Sequence, residues 1–550
     1  MPRLGGRGVR GSAAALTIAV AALMAVTACT SPASTAAGPP SSTGTTPSDP
    51  AAGSAAASAA GSDAGSDAGS DAGPIVPTAS TLHWHSCAGA TAEMGIRDCT
   101  MLSVPVNYAD PGGRHLSLAL DMVPATAPVS QQQGILLVNP GGPGGSGLSL
   151  AAEVAQRLSP SVARDYDIIG FDPRGVGSSV PELSCDPSFF SGPLPNYIPA
   201  STAAEQVLIN RAKTYANDCE QKFGWLLPYM TTENVARDLD SIRAAFGVAK
   251  INYFAFSYGT YIGQVYATLF PQRVRRMVLD STVDPTGVWY TDNIDQDYAF
   301  QGRINAFYAW VAQYDSTYDL GSTAAQVRAA WYRARNQLLA HPVNGTIGAD
   351  EFDATFLLGG YDDELWPGLA HALSSYLNQG DTLDLIGQYQ SYGVQNENEF
   401  AVYNAVQCSD VSWPRSWAYW TSDNEMVYQK APFETWDNAW YNAACAFWPV
   451  PGPAKPLQIK GAGLPGILML QGTLDAATPY AGAQDAHKLL PSARMVVVER
   501  GGNHGQSFDQ PPNTCVQNYL NAYLATGALP QGAGPVNATC PAVPDPTPGS

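Results

Sequence analysis

Residues 252–269 read NYFAFSYGTYIGQVYATL, and this stretch decides the architecture. Asn252 to Phe256 is a short, aromatic-rich apolar run of strand character, and Tyr261 to Leu269 is compatible with a helix. Only Ser257-Tyr258-Gly259-Thr260 separates them, which leaves no room for an ordinary loop. A strand that turns this sharply into a helix presents the serine at the carboxyl edge of a sheet. The local pattern is Ala255-Phe256-Ser257-Tyr258-Gly259, a departure from the usual G-x-S-x-G at its first position. That position packs against the following helix, so Ala fits where Leu would not. Taken alone the match is weak, because serine in a strand-to-helix turn is common.

Working outward, the companions of Ser257 fall at strand ends. Upstream, the run Gly134 to Asn139 ends in Pro140-Gly141-Gly142-Pro143-Gly144-Gly145-Ser146-Gly147. Glycines let the backbone approach a substrate carbonyl and aim an N–H at it, while Pro143 stiffens the turn. The backbone N–H groups of Gly142 and Tyr258 are the expected oxyanion donors. A phosphate-loop reading fails on the missing Lys-Ser/Thr ending. Downstream, Ile467 to Gln471 runs into Gly472-Thr473-Leu474-Asp475, and the next strand leads to Gly501-Gly502-Asn503-His504-Gly505. A turn-forming Asp and a loop His are each unremarkable. Together they give the order Ser257, Asp475, His504, each at a strand's carboxyl end, and predict a catalytic triad with an acyl-enzyme intermediate.

The rest of the chain alternates short apolar runs with amphipathic stretches, the pattern of a mostly parallel sheet flanked by helices. The expected strands are Leu102 to Asn107, Leu116 to Val123, Gly134 to Asn139, Asp167 to Phe171, Asn252 to Phe256, Met277 to Asp280, Ile467 to Gln471 and Arg494 to Glu499. A helix is expected from Thr232 to Phe246, where Val235, Leu239, Ile242 and Phe246 share one face and Thr232 occupies the N-cap. After Ser281 the rhythm breaks. Ten of the twelve tryptophans lie from Trp289 to Trp448, and a block this long between two strands reads as an inserted, mainly helical cap. The expected division is residues 81–284 and 461–550 for the sheet domain and 285–460 for the cap.

The chain has 550 residues, a net charge of −19 and 45% hydrophobic residues. That excludes wholesale disorder and supplies no basic face for nucleic acid. Residues 1–28 carry Arg3, Arg7 and Arg10 ahead of an apolar run too short to span a bilayer, the pattern of a secretory signal. The run ends Val26-Thr27-Ala28-Cys29, which resembles a lipobox, so Cys29 is expected to be lipidated and to hold the protein on the outer face of a cell membrane. An ordinary cleavage that leaves Cys29 unmodified is the alternative. Residues 29–80, with three GSDA units from Gly61 to Ala72, read as a solvated tether. Eight cysteines remain: Cys87, Cys99, Cys185, Cys219, Cys408, Cys445, Cys515 and Cys540. Export permits disulfides, and neighbour pairing is the expectation among many open connectivities. No cysteine spacing fits a zinc site, and His83 and His85 read as a loop or strand pair. No metal or cofactor is expected.

The motifs resemble one branch of the α/β-hydrolase superfamily: the secreted actinobacterial tripeptidyl aminopeptidases, relatives of proline iminopeptidase. The matching segments are NPGGPGGSG (139–147), GFDPRGVGSS (170–179), TTENVARDLDSIRAAFG (231–247), SYGTYIG (257–263), VLDSTVDP (278–285), GTLDAATP (472–479), GGNHG (501–505) and CAFWP (445–449). Ala255 is the main departure. The resemblance implies an α/β-hydrolase fold and release of short peptides, typically tripeptides, from free amino termini.

Such an exopeptidase needs a group that recognises an α-ammonium, and cap carboxylates would serve. The candidates are Asp362, Asp363, Glu364, Glu397, Glu399 and Asp410, each of which also fits a plain acidic surface. The cap tryptophans line a cleft or form the cap's own core, with core favoured for any single one. Two other functions share these residues: an esterase or lipase on the same triad, and a non-catalytic binding lipoprotein on the same scaffold. The expected partners are peptide substrates and a membrane surface, with the protein a monomer.

Overall fold

Among the described residues, ten strands form one sheet in the order β1-β2-β3-β5-β4-β6-β7-β8-β9-β10. They are β1 (His85–Ser86), β2 (Asp98–Pro105), β3 (His115–Val123), β4 (Ile135–Asn139), β5 (Asp167–Phe171), β6 (Ile251–Ser257), β7 (Val274–Thr282), β8 (Ile467–Gly472), β9 (Ala493–Glu499) and β10 (Ala538–Pro541). The computed structural model describes residues 82–88, 96 and 98–549. The expected signal sequence, Cys29 and the tether lie outside the described residues. β1, β2, β3 and β5 pair antiparallel in turn, and every pairing from β5 through β4 to β10 is parallel.

Parallel strands connected by crossover helices are covered on both faces, so they tolerate uninterrupted apolar sequence. β4 and β8 are buried at every residue, and β6 at every residue but Ser257. Successive side chains serve opposite cores. Leu137, Ile169, Tyr253, Ala255, Met277 and Met469 pack on one face with helices Thr232–Ala245 and Tyr258–Leu269. Leu136, Ile168, Phe254, Val278 and Leu468 pack on the other with helices Leu150–Arg157 and Thr514–Thr526.

All eight expected strands are present. β1 and β10 were not legible, because one has two residues and the other, Ala-Thr-Cys-Pro, has no apolar run. The helix at 232 begins as expected, but its N-cap is Thr231, whose hydroxyl accepts from the Asn234 N–H at 3.3 Å. Thr232 instead directs its hydroxyl to Asp410, at 2.5 Å.

Between β7 and β8 the chain forms a largely helical cap, including helices Tyr290–Gln313, Ala324–Ala340, Ala349–Tyr361, Glu397–Asp410, Trp417–Tyr428 and Thr435–Asn442. It has a core of its own: Phe300, Phe307, Trp310, Trp331, Phe356 and Trp366 are all buried together. The disulfides are Cys87–Cys99, Cys185–Cys219, Cys408–Cys445 and Cys515–Cys540, each joining sequence neighbours. Among the described residues, no helix is long and apolar enough to cross a membrane.

Candidate active site

The end of β6 builds the turn at Ser257. The residue has φ 55° and ψ −133°, a left-handed value that a side-chain-bearing residue adopts only at a cost of about 1–3 kcal/mol. The strain is held by packing. A methyl group on Gly259 would lie 2.6 Å from Asn139 Oδ1 and 2.9 Å from Ala255 Cβ. This is the steric reason for a small residue at 255, and Ala there is fully buried. The Thr260 hydroxyl donates to the Ser257 carbonyl at 2.6 Å and accepts from the Val283 N–H at 3.0 Å, tying the turn to the residue after β7.

The glycine loop after β4 lies directly on this turn. Gly141 has φ 104°, and a methyl group there would sit 2.8 Å from Ser257 Cβ and 3.0 Å from the Tyr258 nitrogen. Asn139 Oδ1 accepts from the Gly141 N–H at 3.0 Å, and Asp172, from the GFDPRG segment, accepts from the Ser146 hydroxyl at 2.6 Å. Gly142 is exposed, and its N–H has no acceptor among the described residues. Tyr258 opens the helix 258–269, where the first N–H groups have no intrahelical acceptor. Both expected oxyanion donors therefore belong to segments that meet at Ser257.

Asp475 and His504 are joined. His504 Nδ1 lies 3.0 Å and 3.1 Å from the two carboxylate oxygens of Asp475, so the proton on Nδ1 faces Asp475. Thr478 fixes the carboxylate, its N–H and hydroxyl donating at 3.1 Å and 3.0 Å. His504 Nε2 is buried without a partner among the described residues. Burial works against the imidazolium, but the Asp475 charge, the hydrogen bond to it and the Asp280 charge together hold His504 above the usual histidine range. The loop carrying His504 packs on the turn: a methyl group on Gly505 would meet the Phe256 ring at 3.4 Å, and the Phe256 and Phe508 rings meet edge to face at 4.8 Å.

This arrangement, a strained serine on a strand-to-helix turn with a carboxylate-held histidine after later strands, matches the profile of the alpha/beta hydrolase fold family over residues 134–511. The chain belongs to the α/β-hydrolases. It is related to the actinobacterial tripeptidyl aminopeptidases, with 40% identity to the tripeptidyl aminopeptidase of Streptomyces lividans over 458 residues, 81% of this chain and 84% of that one. Serine protease Hip1 of Mycobacterium tuberculosis is 33% identical over 84% of this chain and 91% of its own. A carboxylesterase B of the same organism is 34% identical over 81% of this α/β-hydrolase and 88% of its own length.

The six cap carboxylates separate by their partners. Glu397 accepts from the Ser184 and Tyr215 hydroxyls and from the Cys185 and Asp186 N–H groups, which ties down the segment around Cys185. Asp410 accepts from the Thr232 N–H and hydroxyl and from the Trp289 indole. Asp363 lies 3.5 Å from Arg303. Asp362 accepts from the Glu364 N–H at 2.9 Å. Among the described residues, nothing donates a hydrogen bond to the Glu364 or Glu399 side chain. The Glu399 backbone lies against the glycine loop, since a methyl group on Gly144 would lie 2.5 Å from the Glu399 carbonyl. Burial pushes the Glu399 carboxyl up to about 7.

The cap also brings residues that the sequence did not single out. Glu434 is 7% exposed, its Oε2 is without a hydrogen-bond partner among the described residues, and burial followed by the Asp297 and Asp437 charges pushes its carboxyl well up. At the other end of the helix that follows Glu434, Asn442 Oδ1 is buried and unmatched among the described residues. The charges of Glu434 and Glu399 both act on Tyr361, whose ring packs on His504. Nothing in the run Phe433-Glu434-Thr435-Trp436 marks Glu434 as different from a surface acid. Among the described residues, no group of three or more His, Cys, Asp and Glu side chains is arranged to hold a metal ion.

Proposed function

We propose that the protein is a serine exopeptidase that releases short peptides from free amino termini, with Ser257 as nucleophile, His504 as general base and Asp475 as the group that orients it. The likeness to the tripeptidyl aminopeptidases supports a serine-hydrolase peptidase activity. The observation that carries the assignment is the state of the His504 ring. Nδ1 is engaged by Asp475, and Nε2 is buried and free to take a proton, in a loop packed on the residue before Ser257. Ser257 Oγ would pass its proton to Nε2 and bond to the substrate carbonyl carbon, the oxyanion being met by the Gly142 and Tyr258 N–H groups. The same proton then goes to the departing amine, leaving an acyl-enzyme. Water attacks this ester as His504 takes its proton, and the acid leaves as Ser257 is restored.

The amino terminus is read by the unmatched acceptors. Among the described residues no hydrogen bond or ion pair reaches the half-buried Glu399, and Glu434 Oε2 and Asn442 Oδ1 are buried without donors. Acceptors left dry and unpaired cost free energy until a donor arrives, and the donor that suits carboxylates best is a cation. An α-ammonium answers both demands. An esterase on the same triad is the second reading, favoured by the carboxylesterase relative; an uncharged ester would leave these acceptors unmatched.

The test compares a free tripeptide amide with its N-acetyl form. The free peptide is expected to turn over at least about 100-fold faster, and Glu434→Gln to narrow that ratio. Equal turnover of the two peptides would sink the exopeptidase reading, and faster turnover of acyl esters than of any peptide would favour the esterase. Covalent labelling by a serine-directed phosphonate should vanish in Ser257→Ala; persistence would remove Ser257 from its role. We also infer export with a lipidated Cys29. The four disulfides fit an oxidising compartment, and the mass of the mature amino-terminal peptide decides whether Cys29 carries acyl chains.

A further inference from the structure

Near its end, at Thr282, the strand β7 carries Asp280 and Ser281, and these two side chains take three consecutive N–H groups that follow His504. Ser281 Oγ accepts from the Gly505 N–H at 2.8 Å. Asp280 Oδ1 accepts from the Gln506 N–H at 2.9 Å, and Oδ2 from the Ser507 N–H at 2.8 Å and the Ser507 hydroxyl at 2.5 Å. Asp280 is fully buried and forms no ion pair with Lys or Arg among the described residues. A buried carboxylate without a cation is costly, and neutral acceptors would satisfy backbone donors at lower cost. The group near it that becomes cationic is the His504 imidazole.

We propose that Asp280 is a positioning residue for His504: it clamps residues 506–507 so that the imidazole is held between Asp475 and Ser257, and it adds a second negative charge to the surroundings of that ring. The proposal rests on the reading of Ser257, Asp475 and His504 as the triad. Three groups face His504 from different elements: Asp475 after β8, Asp280 from β7 and the Tyr361 ring from the cap. Asp280 itself faces His504 and Asp509. Burial pushes the Asp509 carboxyl up to about 8, so at neutral pH it brings little opposing charge; burial pushes Asp280 up to about 6, so at neutral pH it is mostly ionised. Asp280 touches no substrate. Its effect passes through the loop and through the field at the ring.

The experiment follows phosphonate labelling of the full chain from about pH 5 to 9, in the parent, Asp280→Asn and Ser257→Ala. Labelling requires neutral His504, so its acid limb reports the imidazole's protonation. Without the Asp280 charge the imidazolium is less favoured, and the limb is expected to move to lower pH by about half a unit or more. The plateau rate is expected to fall by about tenfold as the loop loosens. A limb that stays in place, with a plateau within about twofold of the parent, overturns the proposal. Should Asp280→Asn fail to fold, Ser507→Ala removes one donor of the clamp and keeps the charge. A plateau rate equal to the parent in that variant also overturns it. Failure of the triad reading is separately visible, as labelling that survives in Ser257→Ala.

Discussion

Tyr361, the last residue of a cap helix, holds His504 in two ways: its carbonyl accepts from the His504 N–H at 2.8 Å, and its ring meets the imidazole edge-on with centroids 5.5 Å apart. The candidate base is thus seated between the sheet, through Asp475 and Asp280, and the cap. Removing the ring should loosen the imidazole while the backbone contact remains. Tyr361→Ala is expected to lower kcat by about tenfold or more, because small displacements of a reacting group are costly. Tyr361→Phe keeps the ring and should stay near the parent rate. Steady-state kinetics of the pair check this; equal rates for both variants would show that the ring does not seat His504.

Asp475→Asn should preserve the fold, since Thr478 can still bond to the amide oxygen, while the wrong tautomer of His504 becomes available. The expected loss in kcat is roughly 10⁴-fold, with KM little changed. A loss carried mainly by KM would mean that Asp475 serves binding and not the orientation of His504.

Gly141→Ala meets two obstacles at once. The backbone is left-handed at φ 104°, and the added methyl group would lie 2.8 Å from Ser257 Cβ. The variant should lose about 1–3 kcal/mol of stability and most of its activity. Urea unfolding and phosphonate labelling measured on the same protein would show whether both fall together, as one shared contact requires.

The acidity of the chain has a consequence for its stability. Burial pushes the carboxyls of Glu399, Asp410 and Asp437 up to about 7 and those of Asp297 and Asp350 up to about 8, against an unfolded value of about 4. Each folded carboxyl keeps its proton where the unfolded one has lost it. The folded state therefore binds more protons, and stability falls as pH rises from about 4 through 8. A melting temperature higher at about pH 5 than at about pH 8 is expected; a rise over that interval would contradict the burial of these groups. The cationic substrate should reverse part of the loss, because it supplies the counter-charge.

The sheet was legible because burial on both faces writes strands as apolar runs: β4, β6, β7, β8 and β9 stand out from sequence without knowledge of their neighbours. The order Ser257, Asp475, His504 was legible for a related reason, since parallel strands deliver their carboxyl ends to one edge and the residues there are read directly off the chain. The cap was legible only as a break in that rhythm. Its acids look alike in sequence. Glu397 and Glu399 are two positions apart on one helix, yet four donors surround the first and, among the described residues, none reaches the second.

The sequence by itself determined the α/β architecture, the turn at Ser257 and the placing of Asp475 and His504 after later strands, because strand periodicity and turn chemistry are local properties of the chain. Only the tertiary structure decided which carboxylates meet donors and which do not. Hydrogen-bond satisfaction depends on donors brought from distant segments, such as Cys185 onto Glu397 and Gln506 onto Asp280. No local pattern encodes those meetings, and they divide the structural acids from Glu399 and Glu434, which keep acceptors open.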